Sequence, residues 1–183
     1  MVDETYEEFT PQGSKISSIP LTNNYNNLIV LRGISKFFAA PGLRLGYAVT
    51  GNPDLLKYIN TKKNPWTINS LAEIAGCIMF SDQEYIARTK ALITGERERM
   101  FQTLSSWKEV KVYPSCTNFL LVKILKEEIT SEQIFDHCIR KGLMIRDCST
   151  FPFLDSSYIR FCVMSPEKND ELLQAFREVL ESR

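Results

Sequence analysis

The sequence predicts an α/β chain of two pieces joined through one long helix. Three observations carry this. Short apolar runs bounded by Gly, Pro and Asn alternate with stretches of helical apolar spacing along the 183 residues. One helical stretch, from about residue 82 to 107, is much longer than the rest. Composition is that of an ordinary globular protein, 44% hydrophobic and 24% charged without repeats or low-complexity tracts. Disordered, collagen-like and coiled-coil classes are thereby excluded.

Taken in order, MVDETY at 1–6 is short, and residues 11–27, rich in Pro, Ser, Asn and Gly, read as a loop. NLIVLRGIS (Asn27 to Ser35) and LRLGYAVTG (Leu43 to Gly51) read as two buried strands. Asn52-Pro53-Asp54 opens a helix to about Lys62, with Asn52 as cap and Pro53 in the first turn. Asn64-Pro65 breaks the pattern, and helical spacing resumes from Ile68 to Phe80. The long helix, Asp82 to Trp107, carries Ile86, Leu92, Ile93, Met100 and Leu104 on one face; its charge run Glu96–Arg99 reads as solvated. VKVYP and NFLLVKI then read as strands. Thr130 and Gln133 form a capping-box pair for a helix with Ile134, Phe135, Cys138 and Ile139 on one side, stopped at Gly142. LMIRDC and YIRFCVM read as two more strands, and Ser165-Pro166-Glu167 opens a final helix. The expected bounds are 1–84 for the first piece, 85–107 for the connecting helix and 108–183 for a second, complete α/β domain.

Basic and acidic residues balance at 22 each, so no global field favours nucleic acid. The five cysteines are odd in number and widely spaced, which fits reduced thiols rather than a disulfide framework or zinc ribbon. Cys148 and Cys162 are expected in the cores of their strands. The single histidine, His137, rules out a His-pair metal site and reads as structural; no metal is expected. No apolar run reaches the ~18 residues that span a bilayer, and the start lacks the pattern of a secretory signal. A cytoplasmic protein with no membrane partner is expected.

The chemistry concentrates in Ser35 to Gly46, SKFFAAPGLRLG, between two expected strands. Lys36 lies among Ile34, Phe37, Phe38, Ala39 and Ala40. Apolar flanks of that kind are expected to desolvate its ammonium, lower its pKa and suit it to imine formation. Arg44 follows the Pro41-Gly42 turn. With Ser35 it offers a hydroxyl and a bidentate fork suited to a phosphate. On the residues alone the plainer reading, a surface lysine and a solvated arginine beside a turn, has the stronger claim.

S-K-x4-P-G-L-R-x-G resembles the Schiff-base lysine segment of the fold-type I pyridoxal-phosphate enzymes, the class I and II aminotransferases. DETY at 3–6, NPWTINSLAEIAG at 64–76, SCTNFLLVKI at 115–124 and YIRF at 158–161 resemble further segments of that family, in the family's order. The resemblance implies pyridoxal 5'-phosphate as cofactor, with Lys36 as the lysine that holds it and then carries the proton. It implies Asp3 at the ring nitrogen, Tyr6 at the phenolic oxygen, and Ser35 and Arg44 at the phosphate. Period-two alternation in YIRFCVM puts Ile159, Phe161 and Val163 on one face and Arg160 on the other. Arg146 sits on the preceding strand. The two are either exposed edge charges or, within the family, the grip on a substrate bearing a carboxylate and a phosphate. The wording RDCSTFPFLDSSYIRF resembles the threonine-phosphate decarboxylase branch, with the histidinol-phosphate aminotransferase branch as the alternative.

In that family the lysine lies past the midpoint, whereas Lys36 stands near the start here. The chain is therefore expected to be the C-terminal half of such an enzyme: an incomplete large-domain sheet, the long helix and a whole small domain. The absent half would bring the loop under the cofactor phosphate, a stacking aromatic and much of the interface of a homodimeric parent. The isolated chain is expected to be inactive. The parent would take a small-molecule amino acid or amine phosphate, and the rival reading is a non-catalytic module that only binds.

Overall fold

In a computed structural model of the chain, residues 1–11 and 15–182 are described. Residues 12–14 of the expected 11–27 loop lie outside the described residues. Strands and helices alternate, and the chain divides into two compact units, Met1–Lys90 and Ala91–Arg183.

In the first unit, β1 (Val2–Asp3), β2 (Val30–Gly33) and β3 (Gly46–Val49) form a three-stranded sheet in that order. β1 runs parallel to β2, with Asp3 opposite Leu31; β3 runs antiparallel, with Gly46 opposite Gly33. Two helices follow, α1 (Pro53–Lys62) and α2 (Ser70–Ser81). Both start where an asparagine can satisfy free N–H groups. Asn52 Oδ1 accepts from the Asp54 and Leu55 N–H groups, each at 3.0 Å, and Asn69 Oδ1 accepts from Ala72 at 2.9 Å. Gly76 allows α2 to approach the chain entering β3, since a Cβ there would lie 2.7 Å from Leu45 Cδ2.

The core of this unit is aromatic. Val30, Ile34, Phe9 and Phe37 are buried, and the Phe37 ring centroid lies 5.2 Å from those of both Phe9 and Phe38. Tyr85 stacks on Phe38 at 5.7 Å, and its hydroxyl donates to the Phe37 carbonyl at 3.1 Å. The second strand is shorter than expected and not buried: Tyr47 is 43% exposed. Apolar composition permits burial, but β3 is an edge strand whose outer residues meet no described cover. Large apolar side chains on and around α1 and α2 are exposed as well, among them Leu56, Trp66, Leu71 and Ile78.

The long helix α3 (Gln83–Ser105) leads into the second unit, where β4 (Val110–Val112), β5 (Phe119–Ile124), β6 (Arg146–Asp147) and β7 (Tyr158–Cys162) form an antiparallel sheet ordered β4-β5-β7-β6. Side chains alternate cleanly. Leu120, Val122 and Ile124 of β5 and Ile159 and Phe161 of β7 are buried on one face. They meet α4 (Ser131–Arg140) and α5 (Pro166–Glu181), whose Ile134, Cys138, Leu172, Phe176 and Leu180 complete the core. α4 opens with the full capping box of Thr130 and Gln133. It closes in a Schellman turn: Gly142, at φ +75°, donates to the Ile139 carbonyl and Leu143 to that of Cys138. The left-handed Gly142 conformation is the reason glycine stands there.

Two readings of α3 are corrected. Leu92 faces out, 39% exposed, while Glu96 and Arg97, expected in solvent, are buried. The turn of α3 that carries them passes under the 114–118 loop and the start of α5. Arg97 donates to the Thr117 carbonyl at 2.9 Å. Glu96 accepts from Arg99 at 2.7 Å and from the amide of Asn169 at 2.7 Å. Asn169 is fully buried and also closes both backbone groups of Met164. These hydrogen bonds, Arg99's first, hold the Glu96 carboxyl below the usual carboxylate range against the opposing effect of burial.

Asn169→Ala removes three bonds from buried partners and strands Glu96 against an unfilled space. A loss of about 2–3 kcal/mol is expected, read as a shifted midpoint in urea unfolding followed by circular dichroism.

Candidate functional site

Because β1 and β2 are parallel, their C-terminal ends lie together at one end of the sheet. Asp3 ends β1; Ser35 and Lys36 follow directly on β2; Arg44 precedes β3, which starts opposite the end of β2. The end of a parallel strand pair is the usual place for ligand chemistry in α/β sheets. Five of the expected residues, Asp3, Tyr6, Ser35, Lys36 and Arg44, thus belong to the loops at this one end. The Thr5 side chain lies alongside Gly33, which brings the DETY turn against the end of β2.

Each side chain has a definite setting. Asp3 is exposed and accepts from the Thr5 hydroxyl at 2.5 Å and the Thr5 N–H at 2.9 Å. The hydroxyl first, then the N–H, hold its carboxyl below the usual aspartate range, so it is ionised at neutral pH. Tyr6 heads the turn Glu7–Phe9, with its ring 6.3 Å from that of Phe9. Ser35 is half-buried. Arg44, in the left-handed region at φ +55°, folds its guanidinium onto the Pro41 carbonyl at 3.1 Å.

Lys36 departs from expectation: it is exposed, not desolvated. The chain after β2 makes a helical turn, Phe38 donating to Ile34 and Ala39 to Lys36. Positions three apart share a side of such a turn, so Ile34 and Phe37 enter the core together and Lys36 between them is turned outward. Apolar neighbours in sequence therefore do not enclose this ammonium.

A second set of groups was not legible as part of the site. Arg32, in the middle of β2, is mostly buried and binds Glu4 at 2.8 Å, Glu7 at 2.9 Å and Glu8 at 3.6 Å. Its guanidinium also donates to Ser17 at 3.0 Å. These contacts tie the segment carrying Asp3 and Tyr6 to the strand leading to Lys36. Burial alone would raise the Glu4 carboxyl, but hydrogen bonds from the Ser18 N–H, Ser17 and Arg32 outweigh it and hold Glu4 below the usual range. Glu8, by contrast, is pushed up by burial. A lone arginine inside an apolar strand and, more than twenty residues earlier, four acidic residues in DETYEE were the available signals.

In the second unit, Arg146 and Arg160 are directly opposed across β6 and β7. Both line a cleft of about 700 Å³ with Phe135, Met144, Thr150 and Cys162. Cys148 is buried just past β6 and Cys162 is exposed, so only one of the two thiols expected in the core is there. Burial, the largest influence, pushes the Cys148 thiol up. His137 sits 2.9 Å from Glu178, which also binds Lys141. Among the described residues no three potential ligands cluster for a metal, and no helix is long and apolar enough to cross a membrane.

The family model for class I and II aminotransferases matches residues 1–176. The chain belongs to that family. Aminotransferases of this family are pyridoxal-phosphate dependent. The chain is 38% identical over 180 residues to a histidinol-phosphate aminotransferase of Thermoanaerobacter pseudethanolicus, covering 98% of this chain and 48% of that protein. It is 32% identical to a threonine-phosphate decarboxylase of Salmonella typhimurium, again covering 98% and 48%. Among solved structures, the histidinol-phosphate aminotransferase of Clostridium acetobutylicum superposes with a TM-score of 0.88 at 34% identity, over 97% of this chain and 53% of that one. The chain spans about half the length of the curated relatives it matches.

Arg32→Met should leave three largely buried carboxylates unpaired, at a cost of about 3–5 kcal/mol, measured by chemical unfolding. Glu4 contributes stability fully above its ordinary value of 4.5 and loses it as pH falls through its lowered folded value. The loss of stability as pH falls below Glu4's ordinary value of 4.5 should therefore shrink in the variant.

Proposed function

We propose that the protein to which this chain belongs uses pyridoxal 5'-phosphate to act on a phosphorylated amino acid or amine. The observation that carries the reading is the meeting of Asp3, Ser35, Lys36 and Arg44 at one end of the β1–β2–β3 sheet. The donor set suits the cofactor: an amine to hold its aldehyde, an ionised carboxylate for its ring nitrogen, and a hydroxyl and guanidinium for its phosphate. Bound there, the cofactor supplies an electron sink for a bond broken at the substrate α-carbon.

The remaining work falls to the chain's own side chains. Asp3, ionised by its Thr5 contacts, keeps a proton on the ring nitrogen. Tyr6 donates to the phenolic oxygen. Ser35 and Arg44, the latter now donating to the Pro41 carbonyl, would hold the phosphate. Lys36 moves the proton at the substrate α-carbon, and its exposure leaves it free to swing between holding and proton transfer. Arg146 and Arg160 take the carboxylate and phosphate of the substrate, as two opposed guanidinium groups suit two anionic groups. α-Decarboxylation of threonine phosphate is the leading reaction, motivated by RDCSTFPFLDSSYIRF. Amino transfer from histidinol phosphate is the second reading, favoured by the 38% identity to a relative of that name.

Borohydride reduction after incubation with pyridoxal phosphate should label the peptide containing Lys36 and no other lysine, read by peptide mass mapping. Labels spread over surface lysines would sink the proposal. In a full-length protein, Arg160→Ala should cost roughly 2–4 kcal/mol in substrate recognition, read from the ratio of kcat/KM values for phosphorylated and unphosphorylated substrate.

A further inference from the structure

Arg146 and Arg160 raise a physical problem. Like charges directly opposed on neighbouring strands repel, and these two are Cα partners. Among the described residues no carboxylate lies within 4.0 Å of either guanidinium. The nearest acid in sequence, Asp147, is committed elsewhere: its oxygens accept from Ser131 at 2.7 Å and from Ser149 at 2.8 and 2.9 Å. Thr150 reaches Arg146 only at 3.5 Å.

What holds the pair is aromatic. The Arg146 guanidinium carbon stands 5.2 Å from the centroid of the Phe151 ring, and that of Arg160 stands 5.9 Å from the same ring. Phe119 takes Arg160 from β5 at 4.8 Å. Phe151 is set by a tight turn, its N–H donating to the Cys148 carbonyl at 3.0 Å and its carbonyl accepting from Leu154 at 3.1 Å.

A ring face and a carboxylate hold an arginine differently. A carboxylate occupies the N–H donors, which lie in the guanidinium plane. A ring attracts the cation as a whole without accepting those hydrogen bonds. We propose that Phe151 is a positioning residue that holds Arg146 and Arg160 side by side with their donors free, and so sets the affinity of the cleft for a phosphate-bearing ligand. This rests on reading the arginine pair as the anion site. It adds that the pair works as a unit because one ring serves both members.

The test uses the 183-residue chain with inorganic phosphate as probe. Phosphate affinity is measured by calorimetry for wild type, Phe151→Leu, Phe151→Tyr and Arg160→Gln. NMR follows the ring-current shifts of the two arginine side chains in the same proteins. Phe151→Leu should weaken phosphate about three- to tenfold, abolish the upfield shift of Arg146 and reduce that of Arg160, which Phe119 still shields at 4.8 Å. Phe151→Tyr should restore both, which a purely structural role of the loop would not demand. Phosphate binding by wild type that survives Arg160→Gln unchanged would overturn the anion-site reading, while the ring-current shifts still judge the positioning by Phe151. Wild-type arginine shifts without ring-current displacement, or undiminished phosphate affinity in Phe151→Leu, would overturn the inference itself.

Discussion

The first unit depends on the ion-pair cluster around Arg32. β1 is only two residues long and cannot specify its own place in a sheet through backbone bonds alone. The guanidinium in β2 reaches Glu4 just past β1 and Glu7 and Glu8 one turn further on. Three carboxylates against one cation leave an excess of negative charge, and one of the three, Glu8, is pushed by burial toward a raised affinity for a proton. The cluster fixes where Asp3 and Tyr6 stand relative to Lys36. A buried ion pair is a poor source of net stability, but it is good at specifying one arrangement among several. That is what so short a strand requires.

The second unit uses a different device for a similar end. Its sheet has one apolar face filled by α4 and α5, and this needs no ionic help. The polar groups beneath α3 act as a clip: Asn169 joins the turn before α5 to Glu96, and Arg97 joins the helix to the loop before β5. The opposite face of the sheet is left to Arg146, Arg160 and the rings that hold them. One face is thus given to cohesion, while the other carries the two arginines and the cleft they line, as antiparallel sheets permit.

What could be read from the sequence was local. Asn52, the Thr130–Gln133 pair and Gly142 announced helix ends because a cap is satisfied within a few residues of itself. The alternation that separates Ile159 and Phe161 from Arg160 is equally local. The errors came where a neighbour distant in sequence decides. Glu96 and Arg97 lie on a charged helical stretch, and only the fold shows that the 114–118 loop and Asn169 cover them. The residues flanking Lys36 point to an enclosed ammonium, but a helical turn sends Ile34 and Phe37 one way and the lysine the other. The motif spacing puts Asp3, Ser35, Lys36 and Arg44 in loops next to strand ends, which is where the register leaves them; the part played by Arg32 was hidden because a single charge in an apolar strand has no periodic signature.

The exposed apolar side chains of the first unit bear on how the chain behaves at high concentration. Leu56, Trp66, Leu71 and Ile78 meet water beside an edge strand with an open ladder. The formal net charge is zero and the sequence isoelectric point is about 6.6. Charge repulsion between molecules is therefore weakest close to neutrality, where it is most needed to keep such surfaces apart. Mildly alkaline buffer, by giving every molecule the same sign, is the condition under which this chain stays dispersed.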